Sequence, residues 1–131
     1  HSHPSVIIST CKMFGDDRII LISDSMMATG MPDGKYSLGG QAVKVADHKA
    51  TLVTDGAIAG SATNLMDCMR NIVKNMGIPL ETAVKCAAVN PAKSIGIYDK
   101  YGSIMPGKVA NIVLLDKDLN IKSVILKGKE I

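Results

Sequence analysis

Residues 18–24 read Arg18-Ile19-Ile20-Leu21-Ile22-Ser23-Asp24, an unbroken apolar run of strand length that ends in a single acid. An apolar run without alternation is the pattern of a strand covered on both faces, the kind found in parallel sheets flanked by helices. The stretch therefore predicts an α/β chain with one buried strand. It also puts Asp24 where such folds carry their chemistry, at the carboxyl end of a strand beside the loops.

On the amino-terminal side, Val6, Ile7, Thr10, Cys11 and Phe14 recur at helical spacing between Pro4 and Gly15. Proline suits a first helical turn and glycine a stop, so a short helix is expected there. Asp16-Asp17 gives a polar turn before the strand, and Gly30 to Gly34, with Pro32-Asp33-Gly34, reads as a loop. Lys35 to Leu38, Gln41 to Val45 and Ala50 to Val53, broken by Gly39-Gly40 and the tip Asp47-His48-Lys49, predict a small antiparallel meander. A loop from Thr54 to Ser61 leads to a helix with Leu65, Met69, Ile72, Val73 and Met76 on one face and Gly77 as its stop. A second helix is expected from Leu80 to Val89, and Asn90-Pro91 as the cap and first position of a new short turn. Ala110 to Leu115 and Ile121 to Leu126 read as two terminal strands.

The chain has 131 residues, 47% hydrophobic and 21% charged, which suits one modest folded domain. Fifteen Lys and Arg against twelve Asp and Glu give +3 without a basic stripe, and one Phe, three Tyr and no Trp leave little to stack on bases. Nucleic acid is excluded as a partner. The longest apolar run is far below the ~20 residues of a membrane span, so no membrane segment is expected. The opening His1-Ser2-His3-Pro4 has neither an initiator Met nor the blocks of a signal peptide, so an upstream part is expected. Cys11, Cys68 and Cys86 form no C-x-x-C pair and read as reduced core residues of a cytoplasmic protein.

Two motifs invite a chemical reading and do not sustain it. Gly102-Ser103-Ile104-Met105-Pro106-Gly107-Lys108 has the spacing of a phosphate loop, but Val109 replaces the Ser or Thr that binds magnesium, and a strand follows where a helix is required. It reads as a structural turn. His1 and His3 lie at the chain end, His48 at a turn tip, and the cysteines far apart, so no closed metal site follows from spacing. Asp24 supports two readings. One is a strand-end carboxylate that hydrogen-bonds loop backbone. The other is an acid/base beside a metal-bound water, taking a proton and later passing it to a leaving group.

Several stretches carry a resemblance. Leu21 to Met26 with Gly30-Met31-Pro32-Asp33-Gly34-Lys35-Tyr36-Ser37-Leu38-Gly39-Gly40 resembles the region around the last barrel strand of N-acetylglucosamine-6-phosphate deacetylases, and Ile58-Ala59-Gly60-Ser61 resembles that family's substrate loop. Asn90-Pro91-Ala92 and Gly102 to Asn111 are similar to the closing signature of the wider amidohydrolase superfamily, which dihydroorotase-like and adenine-deaminase-like enzymes share. The similarity runs from His1 to Glu130. Ser23-Asp24-Ser25 departs from the family's usual Thr-Asp-Ala but keeps the hydroxyl and the acid.

The resemblance implies a (β/α)8 barrel with a small β-sandwich domain and a divalent metal, of zinc or iron type, at the barrel mouth. It implies that residues 1–104 form the last part of the barrel, with its eighth strand, and residues 105–131 strands of the β-sandwich. Asp24 lines up with the catalytic acid, His1 with a histidine that contacts the sugar phosphate, and Ile58, Ala59 and Gly60 with backbone along the substrate. The family's metal ligands come from earlier strands, so the chain alone is expected to bind no metal and to be inactive. The intact parent is expected to cleave the acetamide of N-acetylglucosamine 6-phosphate, and uncovered apolar faces point to a homo-oligomer, a dimer. The alternatives are another amidohydrolase or a non-catalytic association domain.

Overall fold

A computed structural model describes residues 3–131, and its first element is the expected helix, α1 (Pro4–Phe14). The His3 ring accepts a hydrogen bond from the Ser5 N–H, Pro4 opens the first turn, and Gly15, at φ +71°, donates its N–H to the Cys11 carbonyl. No α1 side chain is buried. The apolar run that follows departs from expectation. Asp16–Arg18 is a 3-10 turn, and residues 19–24 are not a hydrogen-bonded strand. Ile19 is extended and the Leu21 N–H donates to the Cys86 carbonyl, but Ile20 and Ile22 are exposed. A strand apolar on both faces needs strand partners along both edges, and among the described residues no strand pairs with residues 19–23.

The chain divides into two compact units, one of Ile22–Met69, the other of the described residues up to Leu21 with Arg70–Ile131. The first holds the meander. Strands β1 (Gly34–Leu38), β2 (Gln41–Ala46), β3 (Lys49–Leu52) and β4 (Ile58–Ser61) pair antiparallel in that order. Two-residue turns at Gly39-Gly40 and Asp47-His48 join the first three, all four residues at positive φ as the twist of a tight hairpin requires. Val43, Val45 and Ala50 point inward and pack with Met26, Ala28 and Ala62. Strand β4 lies inside the segment expected to be a loop. Its Ala59 and Gly60 carry no strand propensity, and pairing with β3 defines it.

The helix α2 (Leu65–Lys74) ends ahead of Gly77, at φ +67°, as expected, and runs across the boundary between the units. In the second unit α3 (Leu80–Val84), a π-helical segment Lys85–Val89 and α4 (Asn90–Ser94) follow without a break. Val89 and Asn90 are both helical, so Asn90 is not the cap of a new turn. The widened segment precedes Pro91, where a regular α-helix would press the proline ring on the Ala87 carbonyl. Asn90 is buried and donates to the carbonyls of Asp16 and Ile19, both at 2.6 Å. Lys85 pairs with Asp16 at 3.0 Å and Asp17 at 2.6 Å. The chain closes with an antiparallel sheet of β5 (Ile112–Leu115), β6 (Ile121–Leu126) and the short β7 (Lys129–Glu130).

The turn from Gly102 to Lys108 is structural, as expected. The Lys108 ammonium donates to the carbonyls of Tyr98 and Tyr101 and lies 3.5 Å from the Tyr98 ring centroid. A Cβ on Gly102, at φ +87°, would meet Ala92 Cβ at 2.7 Å and the Ala88 carbonyl at 2.9 Å, whereas Gly107, at φ +85°, faces open space. Gly102→Ala is expected to cost about 2–3 kcal/mol and Gly107→Ala only about 1 kcal/mol, read as shifts in urea midpoint.

The hydrogen bond from Lys85 holds the Asp17 carboxyl below the ordinary range, and Asp17 then Asp16 raise the Lys85 ammonium above its own. The stability this pair contributes is therefore lost as pH falls through the lowered Asp17 value or rises through the raised Lys85 value. Melting curves of Lys85→Met should show a flatter pH dependence at both ends.

Candidate functional site

Asp24 is held by its backbone. Its carbonyl accepts the Ser61 N–H at 2.8 Å, and the Met26 N–H returns a 2.8 Å bond to the Ser61 carbonyl, so Ser25 faces Ser61 in a parallel bridge. Met26 and Ser61 are buried, which anchors both sides. Between them Asp24 sits at φ +51°. A residue with a Cβ pays about 1–2 kcal/mol for that conformation, which persists where neighbouring contacts hold it. Gly60, at φ +81°, takes a conformation that favours glycine, and a Cβ there would lie at ordinary contact distance, 3.4 Å, from the Asp24 carbonyl.

The Asp24 side chain is exposed, and among the described residues no hydrogen bond or ion pair engages it. Backbone groups therefore do the tying that a purely structural carboxylate would have done. The acid stays open to water. Asp24 and Gly60 are brought together, Ala59 is half-buried in β4, and Ile58 is exposed at the far end of that strand, opposite Thr51. The predicted phosphate contact His1 lies outside the described residues.

Sequence reasoning missed the hydroxyls around the acid. Ser23 Oγ and Ser25 Oγ are 2.7 Å apart, Ser25 Oγ lies 2.7 Å from the Thr63 carbonyl, and the Thr63 N–H donates to Ser61 Oγ at 2.9 Å. The available signal was the spacing, because residues two apart in extended chain share a face.

No group of three or more His, Cys, Asp or Glu side chains that could hold a metal occurs among the described residues. His48 is an exposed turn residue at φ +60°. Burial pushes the thiols of Cys68 and Cys86 up, which disfavours the nucleophilic thiolate; Cys86 is buried and Cys11 half-buried. A cavity of about 400 Å³ is lined by Asp17, Arg18, Ile20, Asn90, Lys93 and Ser94, none of them a residue singled out for chemistry.

The sequence profile of the amidohydrolase family matches residues 41–131. The chain is 36% identical over 130 residues to a putative N-acetylgalactosamine-6-phosphate deacetylase of Escherichia coli K12, covering 98% of this chain and 76% of that protein. It is 36% identical over 129 residues to the N-acetylglucosamine-6-phosphate deacetylase of Vibrio furnissii, covering 98% of this chain and 32% of that one. Among solved structures, the N-acetylglucosamine-6-phosphate deacetylase of Pasteurella multocida superposes with a TM-score of 0.93 at 29% identity, over 99% of this chain and 34% of that one. A mutant of the Mycobacterium smegmatis enzyme, in complex with N-acetyl-D-glucosamine-6-phosphate, gives 0.91 at 34% identity, over 99% and 35%. Apart from the E. coli K12 protein, the chain spans about a third of the length of these relatives. The match over more than half of its residues makes this chain a member of the amidohydrolase family.

Proposed function

We propose that a longer protein carrying these residues hydrolyses the acetamide of N-acetylglucosamine 6-phosphate to glucosamine 6-phosphate and acetate, with Asp24 as its acid/base. The observation that carries this reading is a carboxylate left free for chemistry on a backbone fixed by Ser61 and Met26. The substrate class is supported by the relatives named for deacetylation of amino-sugar 6-phosphates. Asp24 takes a proton from water as its oxygen bonds to the acetamide carbon. It then gives that proton to the nitrogen as the C–N bond breaks, releasing acetate and the free amine. The backbone of Ile58, Ala59 and Gly60 lies along the sugar in this reading, and His1 meets its phosphate.

The proposal places residues 1–104 as the last part of a (β/α)8 barrel and residues 105–131 as strands of a small β-sandwich. Apolar and exposed, Ile20 and Ile22 support it, because a barrel strand of that composition is covered only by its neighbours. It also takes the protein as a cytoplasmic dimer. The family implies a divalent metal of zinc or iron type, and the described residues do not fit one.

A second substrate has equal support, since relatives at the same 36% identity are named for N-acetylgalactosamine 6-phosphate. The two sugars differ at C4, away from the acetamide on C2, so the role of Asp24 is common to both.

In the metal-loaded full-length protein, Asp24→Asn is expected to lower kcat about 10³-fold on either sugar phosphate, with metal content unchanged. Acetate release and metal analysis check it, and turnover near the wild-type rate would refute the role. The purified 131-residue chain is expected to release no acetate with Zn²⁺ or Fe²⁺ added. Metal-dependent turnover by that chain would overturn the placement of the metal ligands outside it.

A further inference from the structure

We infer that Met26 is a positioning residue for Asp24: its side chain, sunk in the core of the meander two residues after the acid, holds the left-handed backbone of Asp24 against β4. The inference rests on the reading of Asp24 as the acid/base.

Asp24 sits at φ +51°, a conformation that is uphill for a residue with a Cβ and persists where neighbours hold it. Its carboxylate takes no part in the holding, since no hydrogen bond or ion pair engages it among the described residues. The anchor therefore lies along the chain. Met26 donates its N–H to the Ser61 carbonyl at 2.8 Å and accepts the Thr29 N–H at 3.0 Å, and its side chain is buried. The other buried members of its cluster, Ala28, Val43, Val45, Ala50 and Ala62, are alanine or valine, so the unbranched methionine is the longest side chain buried there. Its Cβ lies 3.7 Å from the point where Gly60 would carry one, which sets Met26 directly against β4.

Truncating this side chain leaves a void that the surroundings close only in part, by moving the backbone nearest to it. That backbone is the segment bonded to Ser61. With its packing gone, the tie to β4 loosens and φ of Asp24 relaxes toward the extended region. A change of φ swings Cβ and the carboxylate with it. An acid/base displaced by about 1 Å loses up to ~10²-fold in rate, while substrate contacts made elsewhere stay intact. A void opened from β2 differs, because Val43 packs in the same cluster but β2 makes no bond to residues 24–26.

In the full-length, metal-loaded enzyme, assayed well below the melting temperature of each variant, Met26→Ala is expected to lower kcat about 10- to 100-fold while KM stays within about threefold. Met26→Leu refills the space and is expected to stay within about twofold of wild type. Val43→Ala lowers the melting temperature too, but its kcat is expected to stay within about twofold. If Met26→Ala does not fold, Met26→Val takes its place, with the expected loss of kcat reduced to about fivefold.

Wild-type kcat in Met26→Ala, equal losses in the Ala and Leu variants, equal losses in Met26→Ala and Val43→Ala, or a loss carried by KM would each overturn the inference. Asp24→Asn run alongside separates the two readings. If that variant is active, the acid/base role fails; if it is dead while Met26→Ala keeps full kcat, only the positioning role of Met26 fails.

Discussion

The reciprocal pair of hydrogen bonds between Asp24, Ser61 and Met26 does two jobs at once. It joins residues 24–26 to β4, and it lets Met26 and Ala28 reach the cluster around Val43, Val45 and Ala50. Burying such side chains contributes on the order of 1.5–3 kcal/mol for the larger ones. That is enough to offset the ~1–2 kcal/mol cost of a left-handed residue. Asp24 is consequently strained where it is because its neighbours two residues on are buried. The same contacts thus serve the core and the placement of the acid, and a side chain at Gly60 would strain both, because its φ of +81° is one that L residues rarely adopt.

The parts of this fold that were legible in the sequence are those decided locally. Helix α1 is written by Pro4, its apolar spacing and Gly15; the meander is written by its turns, where Gly39-Gly40 and Asp47-His48 adopt the positive φ that short hairpins need. Strand β4 was not legible because only Ile58 in Ile58-Ala59-Gly60-Ser61 prefers extended structure, and its partner β3 supplies the order. Asn90 misled for a related reason. Next to a proline it has the look of a cap, but a π-helical segment carries the helix past Pro91 and spends the amide on Asp16 and Ile19. At the site, the position of Asp24 beside Gly60 was readable from the resemblance. Its left-handed backbone and the hydroxyls of Ser23 and Ser25 were not, because neither leaves a mark in hydrophobic periodicity.

The run from Ile19 to Ile22 shows what an apolar pattern does and does not say. Continuous hydrophobicity describes the surroundings a strand requires, namely neighbours along both edges and cover on both faces. It does not supply them. Within the described residues the Leu21 N–H finds the Cys86 carbonyl and Ile19 is extended, yet Ile20 and Ile22 remain exposed. The pattern and the exposure are consistent once the stretch is taken as one strand of a larger parallel sheet, since single strands of such sheets have no stable form of their own.

The same distinction between pattern and geometry separates the two glycine-rich places in the chain. Gly102 to Lys108 matches a phosphate-loop spacing, but the Lys108 ammonium is already spent on the Tyr98 and Tyr101 carbonyls and on the Tyr98 ring, and no helix follows to present N–H groups to an anion. Its donors are satisfied from within. At Gly60, at φ +81°, no motif spacing is present, and the neighbouring Asp24 carboxylate has no hydrogen bond or ion pair among the described residues. A group that the fold holds in place but does not satisfy is open to contact from outside, which is what the proposed role of Asp24 requires and what the internal bonds of Lys108 do not offer.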